Sequence, residues 1–93
     1  MLNPIQIRAG RSLLRWSARE LAKRAGLHIT TIQRIEGSRE KLLGHAATIE
    51  RIRRALESAG VELLDPDHDG AGPGVRFKSV DMVPPDRGKS KSD

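Results

Sequence analysis

Four neighbouring side chains carry the recognition chemistry this sequence offers: Ile29, Thr30, Gln33 and Arg34. A glutamine amide can hold adenine through N6 and N7, and an arginine fork can hold guanine through O6 and N7. Ile29 or the methyl of Thr30 suits the methyl of thymine. Such pairings need a helix whose first residues enter a major groove. Because helix position fixes direction only roughly, Arg34 serves equally well as a phosphate or solvent contact.

Other chemistry finds less support. Asp65-x-Asp67-x-Asp69-Gly70 matches the opening of a calcium loop, but the twelfth position, which needs a bidentate glutamate, is Arg76. An acidic turn is the preferred reading. His28, His45 and His68 show no metal-ligand spacing, and no nucleophile, base and acid set can be assembled from position. The absence of cysteine excludes disulfides, thiolate metal sites and thiol nucleophiles. Gly-Ala-Gly-Pro-Gly at 70–74 opens no helix and is no dinucleotide fingerprint. The expectation is a protein that is not an enzyme and takes no metal or cofactor.

The elements that must position the four side chains lie in 16–37. Ser17-x-x-Glu20 reads as a capping box, with the hydroxyl accepting from the Glu20 N–H and the carboxylate reaching back to the Ser17 N–H. Leu21, Ala22 and Ala25 form a narrow apolar stripe on a helix otherwise made of Arg, Glu and Lys. Gly26 follows where a left-handed backbone ends a helix. A second stripe, Leu27, Ile32 and Ile35, runs to a second stop at Gly37, so helix, glycine turn and helix follow one another.

With Trp16-Ser17, Glu20-Leu21-Ala22, Ala25-Gly26, Ile32 and Ile35-Glu36 in place, roughly residues 5 to 60 resemble the Xre/Cro/C1 family of phage-repressor-like helix-turn-helix proteins. The resemblance implies that Ala22 lets the two helices touch and that Gly26 makes the turn. It also implies an ion pair between Arg11 and Glu36, which the sequence supports by placing Arg11 on the Ile7/Leu14 face and Glu36 beside Ile35. The expected phosphate contacts are Ser17, Arg19, Lys23, His28, Thr31, Arg39 and Lys41. Two positions depart from the family pattern. Ala18 stands where many relatives hold a phosphate with glutamine, which shifts that burden to backbone N–H groups and Arg19. His28 stands at an N-cap where Ser or Thr is usual, and either a phosphate contact or plain solvent exposure suits it.

Asn3-Pro4-x-Gln6 reads as the start of a first helix, with Ile7, Arg11 and Leu14 along one face and Trp16 as a core plug closing it. Gly10 inside that helix costs about 1 kcal/mol relative to Ala, so a close helix contact is expected there. A fourth helix runs from His45 or Ala46 to Ala59, with Ile49, Ile52 and Leu56 inward and Gly60 ending it. Val61–Leu64 and Val75–Lys78 read as a β-hairpin around the acidic loop. Similar short helix-turn-helix proteins end in a comparable Gly-Val-Glu…Gly-Pro-Gly-Val-Arg segment. A lone hairpin is marginal in water, so it packs on the helices or, as the preferred option, pairs with a second subunit. The expected fold is mainly α: a four- to five-helix repressor-like domain over 1–60, the hairpin over 61–78 and a disordered tail over 79–93.

Composition agrees with a polyanion partner. Residues 1–60 hold 12 Lys+Arg against 5 Asp+Glu, whereas 61–78 hold 2 against 4. One Trp, one Phe and no Tyr argue against stacking of single-stranded bases, which leaves a duplex. No apolar leader region and no run of 18 apolar residues is present, so a cytoplasmic location without membrane contact is expected. The functional expectation is a homodimeric, sequence-specific regulator of transcription on an inverted repeat, acting at its own promoter. The alternative is an antitoxin-like protein that binds a protein partner through its C-terminal segment, with DNA binding secondary.

Overall fold

A computed structural model describes residues 2–38 and 46–84. The described residues are mainly helical, with a two-stranded hairpin following the helices. Four α-helices precede two strands: α1 (Pro4–Leu13), α2 (Ala18–Ala25), α3 (Ile29–Glu36), α4 (Ala46–Ser58), β1 (Val61–Leu64) and β2 (Gly74–Phe77).

Helix α1 starts at a reciprocal capping box. Asn3 Oδ1 accepts from the Gln6 N–H at 2.8 Å, and Gln6 Oε1 accepts from the Asn3 N–H at 3.1 Å. Pro4, at the first helical position, lacks only a donor that would have no partner there. The helix stops earlier than its apolar pattern suggests. Leu14 caps it, Arg15 turns left-handed at φ 60°, and the Trp16 N–H bonds back to the Arg11 carbonyl at 3.0 Å. Trp16 is half-buried at the edge of the core rather than plugging its centre.

Helix α2 begins with half of the expected capping box. Ser17 Oγ accepts from the Glu20 N–H at 3.0 Å, but the Glu20 carboxylate is taken by Arg24 Nε at 2.6 Å. A charge-assisted bond one turn ahead outcompetes a neutral backbone donor. At its other end Gly26 is left-handed (φ 71°, ψ 37°). The Leu27 N–H reaches the Ala22 carbonyl at 2.9 Å and the Gly26 N–H reaches Lys23 at 3.3 Å. This Schellman arrangement satisfies the last carbonyls of α2 and aims the chain into α3.

The core joins Ile7, Leu21, Ala22, Ala25, Ile32, Ile52, Leu56 and Val61, all buried. Helix α2 packs on α3 and α4, while α1 lies against α3, α4 and the hairpin. Gly10 permits the α1–α4 approach, since a Cβ there would sit 3.3 Å from Leu56 Cδ1.

The hairpin is antiparallel, with Val61 opposite Phe77 and Leu64 opposite Gly74. Its second strand begins and ends one residue before the predicted 75–78. Lys78 lies just past the ladder, its N–H bonded to the Gly60 carbonyl at 2.9 Å. Val61 is buried against the helices, and Gln6 Nε2 donates to the carbonyls of Leu64 (2.9 Å) and Gly74 (3.1 Å). The hairpin thus packs on α1 and α4 of its own chain. In the connecting loop the Asp67 carboxylate accepts from the N–H groups of Asp69 and Ala71, so it serves the turn itself. Past Lys78, Val80–Met82 forms a short 3-10 turn capped by Ser79, so regular structure continues beyond the expected start of the tail. Among the described residues, no helix is long and apolar enough to cross a membrane.

Candidate nucleic-acid interface

Helix α3 has two sides, set by its apolar spacing. Ile32 and Glu36 are buried and Ile35 is half-buried against the core. Thr30, Gln33 and Arg34 are exposed on the opposite side. Ile29, expected beside them, is instead half-buried and packed on the core, and Thr31 is half-buried as well. The exposed row therefore consists of a hydroxyl, an amide and a guanidinium. These are the groups that read base edges by hydrogen bonding.

His28 caps α3 by position only: its side chain makes no capping bond and is exposed. Ser17, Arg19 and Lys23 are exposed along α2. Arg19, Lys23 and Arg34 form no ion pair with another described residue, whereas Arg24, Arg53, Arg54 and Arg76 are each matched with a glutamate. Arg8 and Arg51 likewise meet only backbone carbonyls, but Arg19, Lys23 and Arg34 are exposed on the α2–α3 unit, where their field is available to an external anion. Arg39 and Lys41, expected on the loop after α3, lie outside the described residues.

The orientation of α3 is fixed from below by α1. Arg11 donates from Nε to Glu36 Oε2 at 2.8 Å and from Nη2 to Oε1 at 2.9 Å, and its Nη1 reaches the Trp16 carbonyl at 3.1 Å. The hydrogen bond to Glu36 raises the Arg11 pKa above its ordinary value, against the opposing effect of burial. Arg8 adds a bond from Nη1 to the Glu36 carbonyl at the end of α3. Two arginines of one helix therefore hold the last residue of another.

Sequence reasoning missed three of these contacts. Arg8 at the α3 terminus, Arg51 Nη1 on the Gly26 carbonyl (3.3 Å) and Arg24 over the Trp16 ring (4.8 Å) all join separate elements. Only the Glu20–Arg24 spacing of four residues gave a local signal, and it pointed to an ion pair rather than to the ring. No protein-family model matches the sequence, and no match is found among curated proteins.

Proposed function

We propose that this protein is a sequence-specific, double-stranded DNA-binding regulator of transcription of the phage-repressor-like helix-turn-helix type. Helix α3 is its recognition helix, and it acts as a homodimer on an inverted repeat. The observation that carries the reading is the exposed row Thr30, Gln33 and Arg34 on a helix whose opposite side is anchored through Glu36. The unmatched Arg19 and Lys23 supply the sequence-independent attraction to phosphates. One short helix reaches few bases, so specificity calls for two copies on half-sites about one helical turn apart. In this reading the protein is controlled by its own concentration, through binding at its own promoter.

The test is selection of bound duplexes from a random pool, with affinity for the winner followed against salt. An inverted repeat bound by two chains, with affinity falling steeply as salt rises, is the expected result. Recovery of no motif, with only weak salt-sensitive binding, would reduce the basic helices to a non-specific footprint and sink the proposal.

A further inference from the structure

We propose that the groove between α2 and α4 binds a small phosphate monoester, held by guanidinium groups beside the Trp16 ring. The groove has a volume of about 350 Å³. That is the lower end of the range for small-molecule sites, which begins at about 300 Å³. Ala25 and Ala55 leave the space between the helices, and Trp16, Arg24, Arg51 and Arg54 line it.

The cations are arranged rather than merely gathered. Arg24 is bound through Nε to Glu20 at 2.6 Å and lies 4.8 Å from the centre of the Trp16 ring. Arg54 is bound through Nε to Glu50 at 3.2 Å. Each glutamate is four residues before its arginine on the same helix, so it fixes the guanidinium and leaves the Nη donors for a ligand. Arg51 is anchored through Nη1 to the Gly26 carbonyl at 3.3 Å. Three guanidinium groups against two carboxylates leave a net positive groove. A phosphate monoester brings nearly two negative charges and three acceptor oxygens, and planar forks match those oxygens in pairs. The residues involved are separate from Thr30, Gln33 and Arg34, so the site does not depend on the DNA reading.

Trp16 is the only tryptophan of the chain, so its fluorescence reports on this groove. The full chain is titrated with glucose 6-phosphate and with inorganic phosphate at constant ionic strength, using glucose as the neutral control. A saturable change with the two phosphates and none with glucose is expected. Arg54→Gln should weaken that binding about tenfold, the value of one charge-assisted hydrogen bond. Arg54 is 76% exposed, so the variant keeps the fold, which a thermal melt checks. The proposal is overturned by no saturable response to either phosphate, by an equal response to glucose, or by unchanged affinity in Arg54→Gln. Saturation by an oligoglutamate peptide alone would make the groove a surface for an acidic protein and overturn it too. If Arg54→Gln weakens duplex binding by the same factor as phosphate binding, the groove is part of the DNA surface. That outcome rejects the ligand site and leaves the regulator reading standing.

Discussion

Arg11 holds both carboxylate oxygens of Glu36, Nε on Oε2 at 2.8 Å and Nη2 on Oε1 at 2.9 Å. The Glu36 side chain is 9% exposed and that of Arg11 is 23% exposed, so neither charge is well hydrated. Removing one partner strands the other. Glu36→Ala should cost about 3 kcal/mol, the lower part of the range for breaking buried pairs because Arg11 keeps some solvent and the Trp16 carbonyl. Urea unfolding measures it. Because the two residues act as a unit, Arg11→Ala combined with Glu36→Ala should cost clearly less than the sum of the single losses. Strict additivity would mean that the pair contributes nothing.

On the proposed regulator reading, two classes of DNA contact separate by experiment. Gln33→Ala should relax base preference at one position in each half-site, at a cost of about 1–3 kcal/mol for the best sequence. Lys23→Ala should weaken all duplexes alike and reduce the salt slope by about one unit. Both side chains are exposed, and unfolding midpoints should stay near that of the parent protein. If neither change alters binding to the selected duplex, the docking face is misassigned.

Local signals made much of this architecture legible. Asn3, Ser17, Gly26 and Gly60 mark boundaries because capping and left-handed turns depend on residues within a few positions. The inward row of Ile7, Leu21, Ile32, Ile52 and Leu56 follows from helical spacing alone. Where two signals compete, the sequence does not say which wins. Glu20 could serve either the Ser17 N–H or Arg24, and Ile29 is as good a core residue as a surface one. The links from Arg8 to Glu36, Arg51 to Gly26 and Gln6 to the hairpin leave no periodic trace, since each joins elements far apart along the chain.

Gln6 ties the hairpin to α1, and that tie has a measurable consequence. Its side chain is buried, and Nε2 is shared by the carbonyls of Leu64 and Gly74. Gln6→Leu keeps the apolar bulk but leaves both carbonyls without that donor and removes half of the Asn3 capping box. A loss of about 1–3 kcal/mol is expected. Hydrogen exchange should show faster opening of β1 and β2 while α2 and α3 keep their protection. Uniform acceleration across all elements would mean that the hairpin is not a separate unit of stability.

On the outer face of the hairpin, Arg76 Nε donates to Glu62 Oε1 at 2.8 Å. This hydrogen bond holds the Glu62 carboxyl below its ordinary value of 4.5, with the charges of Arg76 and Lys78 helping. A carboxyl with a depressed folded-state pKa stabilises the fold fully above its unfolded value, and that contribution disappears as pH falls through the folded value. Stability should therefore decline on acidification below the ordinary carboxylate range, and Glu62→Gln should flatten that part of the curve. The effect is small because both side chains are well exposed. Urea midpoints measured at several acidic pH values test it, and identical curves for the two proteins would remove Glu62 from the account.

Gly26 sets the angle between α2 and α3, and its backbone makes it hard to replace. At φ 71° and ψ 37° an L side chain crowds the following carbonyl, which costs about 1–2 kcal/mol. A Cβ there would also approach Arg51 Nη1 to 3.2 Å, the end of a flexible side chain that gives way by losing its bond to the Gly26 carbonyl. Gly26→Ala should therefore lower the melting temperature by several degrees, at about 4–8 °C per kcal/mol for a domain of this size. Gly26→Asn should do less harm, because asparagine tolerates the left-handed region. If the two variants melt together at the parent temperature, the turn is not left-handed. If asparagine melts lower than alanine, side-chain bulk against Arg51 governs the position rather than backbone conformation.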